Sequence, residues 1–99
     1  MIRHIVVFRF RDGVADTDQD HLLAALRGLP VRFPAMREFT MGLNASRRDR
    51  RFTHGFTAEF DDFDALNAYL ESVEHERFVI EEFKPLIAER AIVSFEFES

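Results

Sequence analysis

The chain has 99 residues, 46% of them hydrophobic and 31% charged, enough apolar material for one small core and too little for two. Its 13 Lys and Arg stand against 18 Asp and Glu, a net charge of -5, which argues against a polyanionic partner such as nucleic acid. Without cysteine there are no disulfides, thiolate metal sites or cysteine nucleophiles. The apolar run after Met1 is too short for a signal peptide or a membrane span, so a soluble cytoplasmic protein without a membrane partner is expected.

In Ile2–Phe10, β-branched and aromatic residues predict a strand with apolar side chains on both faces: Ile2, His4, Val6, Phe8 and Phe10 on one, Ile5 and Val7 between Arg3 and Arg9 on the other. Asp12 and Gly13 read as a turn. A helix follows from an N-cap at Asp16 or Thr17 to about Arg27, with Leu22, Leu23, Leu26 and Leu29 as its buried stripe and Gly28 and Pro30 as its stop. A second strand is expected over Met36–Leu43. The polar stretch Asn44–Arg51, with Arg47, Arg48, Arg50 and Arg51, reads as a solvated loop; four arginines without aromatic platforms are a weak nucleic-acid signal.

A third strand, Phe52–Phe60, places Phe52, His54, Phe56, Ala58 and Phe60 on one face. Asp61 and Asp62 then cap a helix whose inward stripe is Phe63, Leu66, Tyr69 and Leu70. A break at Ser72–Val73 separates it from a second helical stretch, Glu74–Ala88, interrupted ahead of Pro85, and a last strand runs from Ala91 to Phe97. This order predicts a ferredoxin-like α+β sandwich with a four-stranded antiparallel sheet, residues 1–99 forming a single domain. Helices cover one face of such a sheet. Ile5 and Val7 lie on the face of the first strand away from His4, and the last strand has apolar candidates of both parities, Ile92 against Val93, Phe95 and Phe97, so a second apolar face covered by another copy, a homodimer, is expected, unless a bulge returns these residues to one core.

Chemistry can come from few places. His4 and His54 have matching parity on neighbouring strands, Tyr69 is the chain's one phenol among 12 Phe, and His75 begins the following segment. Imidazole titrates near neutrality and a phenol can donate to a developing oxyanion, so convergence of these groups would suit general acid and base catalysis. Each residue taken alone also has an ordinary structural role, as a half-buried histidine or a core tyrosine. His21 reads as a surface residue. No HxH, HExxH or carboxylate spacing suggests a metal, and no phosphate loop or dinucleotide fingerprint is present, so neither metal nor cofactor is expected.

The opening Ile2–Val14, the segment Pro34–Arg37, Phe52–His54, Glu59–Phe60 and the stretch Tyr69–Phe78 together resemble the stress-responsive A/B barrel (Dabb) family over nearly the whole chain. The resemblance implies a dimeric α+β barrel in which two ferredoxin-like sheets pack face to face. The family includes stress-induced proteins without an assigned reaction and a plant polyketide cyclase. The cyclase's Tyr and His match Tyr69 and His75, and further pocket histidines match His4 and His54. Where members commonly show His-Pro-x-His, this chain has Ser72, Val73, Glu74 and His75. The expected site is therefore a catalytic pair, Tyr69 and His75, with His4, Val6, Phe8, His54 and Phe78 around a small organic ligand. Three readings follow: a ligand-binding protein of unassigned reaction, a cyclase-like enzyme using aldol-type chemistry, and a cofactor-independent monooxygenase.

Overall fold

Alternation along the first segment becomes β1 (Ile2–Phe10), in which Ile2, His4, Val6 and Phe8 are buried and the odd-numbered residues between them are only partly covered. The computed structural model describes residues 1–98; Ser99 lies outside the described residues. After β1 come α1 (Asp16–Arg27), α2 (Leu29–Arg32), β2 (Arg37–Leu43), β3 (His54–Phe60), α3 (Phe63–Glu71), α4 (Val73–Phe78), a π-helical turn (Val79–Phe83) and β4 (Ile87–Glu96). All strand pairs are antiparallel, in the order β2-β3-β1-β4. This is the expected ferredoxin-like α+β fold. Its core lies between the even-parity face of β1 with Phe56, Ala58 and Phe60 of β3, and the helical layer of Leu22, Leu26, Leu29, Leu66, Tyr69 and Phe78.

Several boundaries differ from the sequence reading. The cap of α1 falls at Ala15, which offers no side-chain bond, and Asp16 is already helical; Asp16 and Asp18 still complement the positive end of the helix. Pro30 opens α2 as well as following α1, since a proline at the first turn forfeits no helical hydrogen bond. In β2 the pairing slips between Arg37 and Thr40, and Glu38 takes φ 46°, the left-handed backbone that a bulge accommodates. β3 begins at His54, not Phe52.

The largest difference is at the C-terminal end. The helical stretch expected to reach Ala88 stops at Phe83, and β4 starts at Ile87, four residues ahead of the expected Ala91. Phe83 and Ile87 are both buried and sit four apart, a spacing that reads as one helical stripe although turns at Lys84–Leu86 separate them. Pro85 supplies no N–H to continue a helix. Ile87 instead pairs with Phe10 and Glu89 with Arg9, so Ala88 bulges.

That bulge does not gather the apolar side chains into a single core. On the face away from the helices, Ile5 lies opposite Val93, Val7 opposite Ala91 and Arg3 opposite Phe95. Val93 and Phe95 are exposed at 58% and 40%. Ion pairs Arg3–Glu59 at 2.6 Å and Arg9–Glu89 at 3.3 Å bound this surface along β1.

Candidate active site

Helix α3 brings Tyr69 onto the sheet because Leu66 and Tyr69 lie three apart on its inward stripe, both buried. Asp62 caps this helix by accepting from the Ala65 N–H at 2.8 Å. The chain then breaks at Ser72, whose Oγ donates to the Tyr69 carbonyl at 2.8 Å and accepts the His75 N–H at 3.1 Å, ending one helix and capping the next. A serine thus occupies the place of the first histidine of the family's common pattern, and Val73 takes the first helical position where that pattern has proline. His75 comes to rest with its ring centroid 4.5 Å from that of Tyr69.

A cavity of about 120 Å³ lies between the sheet and these helices. Its floor is His4, Val6 and Phe56, and its walls are Leu26, Leu29, Tyr69, Leu70, His75 and Phe78, closed by Val79 and Phe83 from the π-helical turn. Such one-residue irregularities in helices recur at functional sites because they re-aim side chains. Arg90 and Ile92 line the side at β4. Both are exposed, so the cavity opens along that edge.

Four polar side chains line the cavity: His4, Tyr69, His75 and Arg90. His75 Nδ1–H donates to the Leu70 carbonyl at 3.1 Å, which leaves Nε2 as the lone-pair nitrogen of the neutral ring. Burial holds His75 below the usual imidazole range, partly offset by that hydrogen bond. His4, 2% exposed, shares a 2.7 Å hydrogen bond between its Nδ1 and Ser94 Oγ. Burial, with the neighbouring His75, lowers its pKa to about 4. Burial pushes the Tyr69 phenol up to about 12, against a smaller opposing pull from Arg32. Near neutral pH the cavity therefore presents two neutral imidazoles and one protonated phenol.

Among the described residues no buried side-chain nitrogen or oxygen is left without a partner. Tyr69 Oη and His75 Nε2 have no protein partner there, so both atoms reach accessible space. Tyr69, His75, His4, Val6 and Phe78 of the expected site meet at the cavity.

His54 and Phe8 do not line it. His54 shares a sheet face with His4, but the register pairs it with Phe8, while His4 pairs with Ala58. Four residues along a strand amount to about 13 Å. His54 instead stacks on Phe8 at 5.4 Å and bonds Thr53 Oγ1 through Nδ1 at 2.8 Å. Phe8 is fully buried, filling the core between His54 and Phe83. Arg90, missed by sequence reasoning, lies just before the expected start of the last strand; its alternation with Ile92 and Ser94 was the available signal. Among the described residues no three His, Asp or Glu side chains converge as a metal site, and no helix is long and apolar enough to cross a membrane. In the arginine-rich loop, Arg51 is engaged by Glu89 at 3.5 Å and by the Phe52 ring. Arg47, Arg48 and Arg50 are exposed.

Comparison with known proteins agrees with this architecture. The model of the stress responsive A/B barrel domain, Dabb, matches residues 2–98. An uncharacterized protein of Streptomyces coelicolor is 35% identical over 79 residues, 77% of this chain and 80% of that one. A dimeric ferredoxin-like protein of unknown function from Thermobifida fusca is 26% identical with a TM-score of 0.80, covering 97% of this chain and 90% of its own. Hydroxynitrile lyase from Passiflora edulis reaches a TM-score of 0.87 at 23% identity, over 98% and 93% of the two chains, a likeness of fold alone. The chain belongs to the stress responsive A/B barrel (Dabb) family.

Proposed function

We propose that this protein binds a small carbonyl compound in the cavity and moves a proton on it, with His75 as base and Tyr69 as hydrogen-bond donor. The observation that carries this reading is the pairing of two partner-free polar atoms, His75 Nε2 and Tyr69 Oη, at the wall of an otherwise largely apolar cavity. His75 removes the proton α to the carbonyl, and Tyr69 Oη donates to the oxygen on which charge develops. The resulting enolate can attack a second carbonyl carbon, the aldol-type step, or be reprotonated by the imidazolium. The same pair suits the reverse kind of bond cleavage implied by the name hydroxynitrile lyase: the base takes the hydroxyl proton, a carbonyl forms and cyanide departs with that proton.

Cavity size bears on the substrate. About 120 Å³ is of the order that holds a benzene-sized guest, which favours a one-ring or short-chain compound over an extended polyketide. The exposed Val93 and Phe95 on the opposite sheet face, with a dimeric relative of 26% identity, support a homodimer as the working unit.

A test needs no knowledge of the natural substrate. In D2O, the α-protons of short ketones and aldehydes should exchange faster with the protein than with the same concentration of free imidazole, followed by proton NMR. His75→Ala should lower the protein's rate by about a hundredfold or more, and Tyr69→Phe by a comparable factor. The acidic fall of the rate should lie below pH 6.5, since burial lowers the His75 pKa. Unchanged exchange in folded His75→Ala would refute the assignment.

A further inference from the structure

We propose that Arg90 makes the cavity selective for carbonyl compounds that also carry a carboxylate, so that the substrate class is a small oxo acid. This inference rests on the reading above and adds the recognition of charge. Four observations support it.

Arg90 lines the cavity beside Ile92, on the helix-facing side of β4, where the cavity opens. The other titratable groups of the lining are His4, Tyr69 and His75, all uncharged near neutrality, so the guanidinium is the fixed charge among the lining residues; Arg32, whose charge acts on Tyr69, lies outside the lining over the Phe33 and Phe78 rings. Arg90 has no ion pair, side-chain hydrogen bond or aromatic contact among the described residues, whereas Arg3, Arg9, Arg37 and Arg51 each face a carboxylate. Two acids on the elements that line the cavity are engaged elsewhere. Glu89, the preceding residue, points to the opposite sheet face and meets Arg9 and Arg51, and Glu82 of the π-helical turn lies 3.9 Å from His21.

A planar guanidinium with free donors fits a carboxylate through two parallel hydrogen bonds. The mouth therefore holds the anionic end of a guest while its carbonyl end faces Tyr69 and His75 in the apolar interior. A neutral guest of the same shape lacks the first contact and a simple dicarboxylate would place a second charge among apolar walls, so one carboxylate is the fitting number.

Benzoate and benzamide test this, being single-ring isosteres that differ in charge and sized to the cavity. Binding is followed at neutral pH by NMR titration of the His75 and Tyr69 ring signals, in the full-length wild type and in Arg90→Gln and Arg90→Lys. The wild type should bind benzoate about tenfold more tightly than benzamide. Arg90→Gln should abolish that preference, and Arg90→Lys should retain part of it. Equal affinities in the wild type, or a preference that survives Arg90→Gln, overturn the role of Arg90 and leave the cavity as a neutral binding site. Failure of both probes to shift the ring signals at millimolar concentration overturns the ligand-binding reading and this inference with it.

Discussion

At His4 the imidazole is almost wholly enclosed, with Ser94 on one nitrogen and the rings of Phe60 and Tyr69 edge-on at 6.5 and 6.3 Å. Protonating it in place puts a charge in the core, so its folded pKa is about 4 against the ordinary imidazole value of about 6.5. The sign follows from linkage: below pH 6.5 the unfolded chain takes up a proton that the folded chain refuses, so this contribution to stability is complete above pH 6.5 and is lost as pH falls toward 4. The span corresponds to at most about 3 kcal/mol. Urea midpoints measured from pH 7 to 4 should therefore decline, and His4→Leu should flatten the part of the decline above pH 5, where most carboxylates are still charged. An equally steep decline in that variant would place the titrating group elsewhere. Residue chemistry of this kind was legible in the sequence when it depended on parity or helical spacing, which brought His4 and Tyr69 to the same space, while His75 was reached through its place at the start of the following segment and through the family resemblance. It was not legible for His54, because parity names a face while position along that face depends on register.

Between α3 and α4 the structure turns on Ser72, one hydroxyl that bonds both the Tyr69 carbonyl and the His75 N–H. The two groups of the proposed pair stand on different helices, and this hydroxyl ties the end of one to the start of the other. Ser72→Ala should cost about 1 kcal/mol as a lost cap, read from chemical denaturation. It should also slow the α-proton exchange severalfold, by loosening the angle between the rings. Ser72→Asp separates the two roles: a carboxylate accepts from the His75 N–H and restores stability, but donates nothing to Tyr69, so exchange should stay slow. Recovery of both properties in Ser72→Asp would reduce Ser72 to a helix cap. The break itself was readable from Ser72 and Val73, and the strands β1 and β3 from clean alternation. The end of the helical region was not, because Phe83 and Ile87 keep helical spacing across a turn, and the misplaced start of β4 hid Arg90 in what read as a connection.

The whole molecule uses the two faces of its sheet differently. One face, against the helices, holds the cavity; the other carries Ile5, Val7, Ala91, Val93 and Phe95, with ion pairs Arg3–Glu59 and Arg9–Glu89 bounding it. An apolar centre with charged margins is the anatomy of a protein interface, and the antiparallel sheet of a lone ferredoxin-like unit would keep this face polar. A second copy offers the same surface in return, which a two-fold axis satisfies without a further partner. Val93 is the position to probe, because it is 58% exposed and stands opposite Ile5 in the middle of β1. Native mass spectrometry should find the wild type dimeric at micromolar concentration and Val93→Asp monomeric, since the new carboxylate would be buried unpaired on both sides of the axis. The side chain points away from the core, so the variant should keep its helical and sheet signal in circular dichroism. Benzoate binding provides the second reading, because the cavity is on the other side of the sheet: the monomeric variant should still bind it. A wild-type monomer under those conditions would show that this face is covered by no second copy. Loss of binding in a folded Val93→Asp monomer would show that the cavity takes its shape from the assembled pair.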